Sequence, residues 1–239
     1  MLKHFLLALL TFSLLVFVQS CSNKKDDFNL DYNYNYYPLT TGHYVTYNVD
    51  SISYRFNNPN YLRDTVRYQL KEVVADTFYD NENELNYRLE LFRRPDATAG
   101  WSIWKVWNVK QTTTTLQKNE DNIRFIKLVF PQTDGETWNG NIYVPNTTIY
   151  DIFKNWTYRY SNLHQPLSLN GFNFDSTLVV NQVDDENVIE KKLRKEIYAK
   201  NVGMIYQEWE GMKKQRVDKD WQEGPETGFR IRMTIIDHN

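Results

Sequence analysis

The residue types that most often carry chemistry in proteins are scarce in this chain. Its 239 residues include four histidines and one cysteine. His43, His164 and His238 are far apart in the sequence and His4 lies near the start, so no spacing typical of a zinc site is present. Hydrolase and metalloprotease motifs and phosphate-binding glycine loops are absent as well. We therefore expect no metal ion and no cofactor, and interpret the histidines as structural or surface residues.

Carboxylates are numerous, but their spacing defines no site. Asp184, Asp185 and Glu186 could hold a hard cation, yet they lack the alternating spacing and the glycine of a calcium loop, and a solvated hairpin tip is the favoured interpretation. A pair of carboxylates for sugar hydrolysis would meet only in the folded protein. We predict that the protein is not an enzyme; the enzyme alternative requires two perturbed carboxyl groups that converge in a cleft.

Four tryptophans are the strongest candidates for ligand contacts: Trp101, Trp104, Trp107 and Trp138. On a strand, alternation places Trp101 and Trp107 on one face and Trp104 on the other. The functional interpretation is an aromatic face that stacks a sugar ring or lines a lipid cavity, and we expect at least two of the four rings to line a groove. The alternative is core packing with one half-exposed ring.

Turns that share a pattern position these residues. Residues 37–42 and 130–135 both read aromatic-Pro-x-Thr-x-Gly, with Pro38 and Pro131 fixing φ and with Gly42 and Gly135 permitting a positive φ. Each segment is predicted to deliver the chain into a strand. Gly203 marks a third tight turn between two paired strands.

Alternating apolar and polar residues predict an all-β protein of about 10–11 strands. Short polar clusters between sequential segments are typical of an antiparallel meander, which we expect to curl into a half-barrel or open β-sandwich over residues 38–239. Only residues 146–155 could hold a helical turn. The predicted strands are 42–56, 63–78, 84–94, 101–109, 112–118, 122–130, 156–162, 175–184, 188–200, 202–213 and 228–237.

The N-terminus resembles the targeting signal of a lipoprotein. A short positive segment precedes an apolar run, residues 5–18, that is too short to span a membrane and fits a signal peptide over residues 1–20. Cys21 follows at the cleavage position of a bacterial lipobox, which implies acyl chains such as palmitate on this residue and a membrane anchor. The alternative is an ordinary secretory signal with a chance cysteine. Residues 21–37 are interpreted as the lipidated N-terminus and a flexible tether.

The same region bears on location. Lys25-Asp26-Asp27 is similar to the signal that sends lipoproteins of Bacteroidota to the outer face of the outer membrane, although a merely solvated linker is equally compatible. We expect an outer-membrane lipoprotein and leave its surface or periplasmic face open. The net charge of −2 comes from interspersed acids and bases, which excludes the clustered cations of a nucleic-acid partner.

A family resemblance rests on residues 174–180, on residues 196–206 and on the Tyr-Pro-Leu-x-x-Gly opening. These stretches resemble uncharacterised lipoproteins of Bacteroidota and, distantly, LolA/LolB-like half-barrel carriers that shelter lipoprotein acyl chains. The resemblance implies an antiparallel half-barrel and brings no catalytic residues.

Two functions from different classes follow. The first is non-enzymatic binding of a lipid or oligosaccharide ligand on a concave aromatic face. The second is a scaffold or accessory subunit that contacts an outer-membrane protein partner. A cavity in the fold would favour binding, whereas a filled core with an exposed apolar patch would favour the scaffold.

The anchor yields the first prediction. Cys21→Ala removes the only thiol that the lipobox could modify, so the variant should leave the detergent phase of a partition assay and appear in the aqueous phase. A conservative Ser22→Ala variant should stay with the detergent. Recovery of Cys21→Ala in the detergent phase would contradict lipidation at this residue.

Overall fold

The computed structural model is all-β and contains one twelve-stranded antiparallel sheet. It describes residues 32–57, 60–215, 218, 220–221 and 225–239. The expected signal peptide, Cys21 and the Lys25-Asp26-Asp27 segment lie outside the described residues. In the part that is described, no helix is long and apolar enough to cross a membrane.

Eleven of the twelve strands overlap the segments that the sequence predicts, although the predicted strand 156–162 continues to residue 169, and the two-residue strand β7 is the addition. The predicted helical turn is a 3₁₀ helix at Thr148–Phe153, and another spans Tyr34–Tyr36. The strands are β1 Tyr44–Asn57, β2 Asn60–Tyr79, β3 Leu85–Arg94, β4 Ser102–Gln111, β5 Thr115–Glu120, β6 Ile123–Val129, β7 Thr137–Trp138, β8 Tyr158–Leu169, β9 Phe172–Glu186, β10 Glu190–Ala199, β11 Gly203–Lys213 and β12 Thr227–His238.

The sheet curls into a nearly closed barrel in which the first and last strands are neighbours. The strand order is β6-β5-β4-β3-β2-β1-β12-β11-β10-β9-β8-β7. Pairing of β1 with β12 joins the two ends of the chain, for example at Tyr47 and Ile235. The sheet edges are therefore β6 and β7, which follow one another in the chain. The barrel has one seam there, across which the described residues form no strand pairing.

Side chains and one backbone hydrogen bond bridge this seam. The backbone N–H of Ile126 donates to Gly140 O at 2.9 Å, and Trp138 Nε1 donates to Ile126 O at the same distance. The hydroxyl of Tyr160 accepts from the N–H of Val129 at 2.8 Å and donates to its carbonyl at 2.9 Å. These contacts satisfy edge groups that a continuous ladder would otherwise satisfy.

Alternation along the strands fills the interior, as Leu89 and Leu91 on β3 illustrate with no exposed surface. The N-terminal segment covers the end of the barrel that carries the β4–β5 and β10–β11 turns, which we call the lower end. Tyr36 is fully buried there, and its hydroxyl lies 2.8 Å from Ser176 Oγ. Tyr36 and Tyr37, which the sequence assigns to the tether, thus belong to the buried core, so the expected tether over 21–37 overlaps the folded unit Tyr32–Asn239.

The turn glycines adopt the conformation that the shared pattern predicts. Gly42 has φ 90° and Gly135 has φ 79°, each a few residues after its proline. Gly203 opens β11 with φ 97°, and a Cβ there would lie 3.7 Å from the Pro38 ring. A Cβ atom raises the conformational energy of a backbone with positive φ, which explains why glycine occupies the three positions.

The seam provides the second prediction. A Cβ on Gly140 would lie 2.3 Å from a ring carbon of Tyr158, so Gly140→Ala should lower the free energy of unfolding by roughly 1–3 kcal/mol, the usual cost of overpacking. Gly100→Ala is the matched control, because a Cβ there meets no atom within 4 Å. Equal denaturation midpoints for the two variants would contradict close packing at the seam.

Candidate ligand-binding cavity

A cavity of about 270 Å³ occupies the upper end of the barrel, where β5 ends and β6 begins. Its volume is close to the lower limit of the roughly 300–1,000 Å³ of small-molecule sites. Strands from both halves of the meander form its walls. The residues that line it are Tyr68, Leu70, Glu72, Trp104, Lys105, Trp107, Lys118, Glu120, Asp121, Ile123, Phe125, Phe153, Arg194, Met204, Gln207, Trp209, Ile231 and Met233.

Strand β4 brings two of the four predicted tryptophans, Trp104 and Trp107, to this cavity. The pairing register between β3 and β4 shifts after Leu91, so that Trp104 is an extra residue in a β-bulge. Since the bulge interrupts the alternation, both rings line the same cavity. The expectation that Trp104 points away from the face of Trp107 is therefore wrong.

The other two predicted tryptophans lie elsewhere. Trp101 precedes β4, and the guanidinium carbon of Arg94 lies 4.2 Å from the centre of its ring. Trp138 belongs to the seam, where its ring centre is 4.5 Å from that of Tyr160 and 5.7 Å from that of Tyr158. Neither residue is among those that line the cavity.

Trp209 is a cavity residue that sequence reasoning did not select. It lies on β11 and pairs with Arg194 on β10, whose guanidinium carbon is 4.5 Å from the centre of the indole. Trp209 shares one side of β11 with Gln207, which also lines the cavity, and this alternation groups the two residues without showing which side faces inward. The choice of that side was not available without the pairing to β10.

The floor of the cavity is charged. Lys118 Nζ lies 2.7 Å from a carboxylate oxygen of Glu72, and both residues line the cavity. Lys127 Nζ lies 2.5 Å from a carboxylate oxygen of Glu196, a pair that does not itself line the cavity. Buried charges of one sign are costly, and here each has partners of the other sign. The six members of this buried charge cluster are the carboxylates Glu72, Glu120 and Glu196 and the cations Lys118, Lys127 and Arg194.

Electrostatic interactions within the cluster shift the pKa values of four of its members. Burial acts to raise the pKa of Glu120, but the positive charges of Lys127, Lys118 and Arg194 outweigh it and lower the pKa to about 2. The pKa of Glu196 is lowered in the same way, against its own burial. Conversely, nearby carboxylates raise the pKa of Lys118 and of Arg194 although burial opposes this. These four groups are therefore charged at neutral pH.

Two tyrosines support the carboxylates from below. The Tyr37 hydroxyl donates to Glu72 Oε1 at 2.8 Å, and the Tyr198 hydroxyl donates to Glu196 Oε2 at 2.6 Å. Burial, followed by the neighbouring carboxylates, raises the pKa of both phenols well above its usual range. Both hydroxyls thus remain hydrogen-bond donors that fix the orientation of the carboxylates.

A short helix contributes the remaining wall. Phe153 ends the 3₁₀ helix Thr148–Phe153, and its ring centre lies 5.4 Å from that of Phe125 and 6.1 Å from that of Trp209. Asn141 Nδ2 donates to the carbonyl of Phe153 at 2.9 Å and so ties the helix to the loop at the seam. The aromatic wall is therefore completed by a segment outside the sheet.

His43 and His164 have structural partners. The His43 ring lies 2.9 Å from the carbonyl of Val202, and His164 Nδ1 lies 2.8 Å from the Tyr36 hydroxyl. The first contact joins the turn before β1 to the β10–β11 turn, and the second joins the N-terminal 3₁₀ helix to β8; none of these four residues lines the cavity.

Two acidic sites outside the cavity have basic partners. Glu186, at the exposed end of β9, lies 3.1 Å from Lys191 Nζ. A further group in the described chain consists of Asp80, Glu82 and Glu84. Lys110 Nζ is within ion-pair distance of all three carboxylates, so their negative charge already has a cation.

Comparison with protein-family models and with curated proteins gave no match for this chain.

The ionised floor makes stability depend on pH. Because the pKa of Glu120 falls from 4.5 unfolded to about 2 folded, its contribution is complete above about pH 4.5 and is lost as pH falls towards 2. The shift corresponds to on the order of 3 kcal/mol. Denaturant titrations should give free energies of unfolding that differ less between pH 7 and pH 3 for Glu120→Gln than for the wild type. Glu82→Gln, a solvated control, should show the same difference in the free energy of unfolding between the two pH values as the wild type.

Proposed function

We propose that this protein is a non-catalytic binding protein of the bacterial cell envelope, held at the outer membrane by acyl chains on Cys21. Its ligand is a small molecule that enters the upper end of the barrel. The observation that carries the proposal is a cavity of about 270 Å³ that combines three tryptophans with an ionised floor. The anchor is supported by the lipobox sequence alone.

The walls of the cavity suit a ligand with an apolar face. Trp104, Trp107 and Trp209 come from two strands, and Tyr68 adds an edge-on ring 6.4 Å from Trp104. Covering such rings contributes roughly 25 cal/mol per Å² of apolar area. Trp104 remains 41% exposed, so an incoming ligand would gain this contribution at the entrance.

The protonation state of the floor favours binding over catalysis. A general acid at neutral pH requires a carboxyl group whose pKa is raised towards 6 or 7. The pKa values of Glu120 and Glu196 are instead lowered by the surrounding cations. Carboxylates in this state accept hydrogen bonds and orient a ligand.

A scaffold function is the second candidate, and a specific feature of the β1–β2 hairpin favours it. Residues 60–68 of β2 pair only with β1 within the described structure. Near the hairpin end, the rings of Phe56 and Tyr61 are 5.0 Å apart and each is 46% exposed. An exposed strand edge with aromatic residues is a surface on which a partner protein can add a strand.

Binding in the cavity is tested by fluorescence titration of the full-length protein with an acyl chain, palmitate, and with oligosaccharides. A ligand that covers the cavity should change tryptophan emission. Trp104→Ala should weaken binding by about tenfold, since stacking of one ring contributes on the order of 1 kcal/mol. Trp101→Ala is the matched control and should retain wild-type affinity, because this ring lies against Arg94.

Two outcomes would contradict cavity binding. One is wild-type emission that neither class of ligand changes. The other is equal loss of affinity in Trp104→Ala and Trp101→Ala, which would place the ligand outside the cavity. Either result would leave the scaffold as the better supported function.

A further inference from the structure

Two oppositely charged groups on the cavity floor are incompletely paired. Arg194 is 3% exposed, yet its Nη2 lies 3.5 Å from Glu120 and 3.6 Å from Glu196. Charge-assisted hydrogen bonds are usually about 2.7–2.9 Å long. Within the described part of the chain, Arg194 Nε has no hydrogen-bond partner at all. A buried donor in this state is costly, which points to a missing acceptor.

Glu120 has matching capacity as an acceptor. Its carboxylate lies 3.5 Å from Lys127 Nζ and 3.8 Å from Lys118 Nζ, again longer than short ionic hydrogen bonds. Its side chain is 15% exposed and lines the cavity. The floor therefore offers an accepting carboxylate and a donating guanidinium next to each other.

The balance of charge restricts the ligand further. The buried charge cluster contains three carboxylates and three cations, so it has no surplus charge to neutralise an ion. A bound anion would be desolvated beside Glu72 and Glu120, and a bound cation beside Lys118 and Arg194. Both cost free energy without a free counter-charge. A neutral ligand avoids this cost.

We infer that the ligand is a neutral, hydroxyl-bearing ring, namely a hexose or an N-acetylhexosamine, with a hydroxyl group placed between Glu120 and Arg194. A hydroxyl donates one hydrogen bond and accepts others, so a single group can donate to Glu120 and accept from Arg194. The apolar face of the sugar ring lies against Trp104 and Trp107. The inference rests on the proposed function and selects among its ligand classes.

An acyl chain would leave the hydrogen-bonding groups of the cavity floor without partners. Its methylene groups offer neither a donor to Glu120 nor an acceptor to Arg194, and both groups would remain unpaired after water is displaced. The cavity of about 270 Å³ is also small by the standard of ligand sites, roughly 300–1,000 Å³. A single ring fits this space better than a long flexible chain.

Calorimetric titration of the full-length protein tests the inference. The probes are methyl glycosides of neutral hexoses and N-acetylhexosamines, the corresponding methyl hexuronides, and palmitate. At least one neutral glycoside should bind, and its uronide, which differs by one carboxylate, should bind at least about tenfold more weakly because the floor cannot neutralise it. Palmitate should not compete with the glycoside.

Variants locate the contact. Arg194→Lys keeps the positive charge but removes the planar fork of donors, so glycoside affinity should fall by about tenfold or more. Arg232→Lys is the matched control: its neighbours Ile231 and Met233 line the cavity, so Arg232 points to the outer face, where it pairs with Glu208. Trp104→Ala serves as a second cavity variant if Arg194→Lys fails to fold.

The outcomes separate the inference from the proposed function. If palmitate or a uronide binds more tightly than every neutral glycoside, and Trp104→Ala weakens it, the cavity binds a ligand but the sugar assignment is wrong. Neutral glycoside binding that Arg194→Lys and Arg232→Lys affect equally also overturns the assignment. If no probe binds, the proposed function fails together with the inference.

Discussion

The ion pair between Lys127 and Glu196 joins the two halves of the barrel where the sheet does not. Lys127 lies on β6, the last strand of the first half, and Glu196 lies on β10 in the second half. Both side chains are almost completely buried, so each would lose its nearest counter-charge and keep only a more distant one, Glu120 or Arg194, if the halves separated. The pair therefore couples closure of the barrel to the charge balance of its interior.

The layer of buried charges divides the interior of the barrel into two zones. Below the charged layer, tightly packed residues such as Leu89, Leu128 and Tyr36 exclude solvent. Above it, the aromatic walls do not meet and the cavity remains. Burial of apolar surface in the lower zone stabilises the strands, whereas the upper zone leaves the space in which we propose that a ligand binds. A carboxylate and a guanidinium at the boundary give the cavity a polar floor without a surplus of charge.

The strands and turns were predictable because they depend on local pattern. Alternation located eleven strands, and a proline followed by glycine located turns with positive φ at Gly42 and Gly135. The orientation of particular side chains depends on pairing with distant strands. A single bulge turned Trp104 towards the cavity of Trp107. Lys118 and Glu120 are charged residues on alternate positions of β5, a pattern that predicts a solvent-facing side. They are buried because β2, β6 and β10 supply side chains of opposite charge.

We propose that the upper end of the barrel encloses a ligand between aromatic walls and a charged floor. This proposal is tested by nuclear magnetic resonance of the full-length protein, labelled with nitrogen-15 at the indole nitrogens, during titration with a neutral methyl hexoside. The signals of Trp104, Trp107 and Trp209 should shift together, while that of Trp101 should not. Shifts confined to Trp101, or none at saturating sugar, would contradict it.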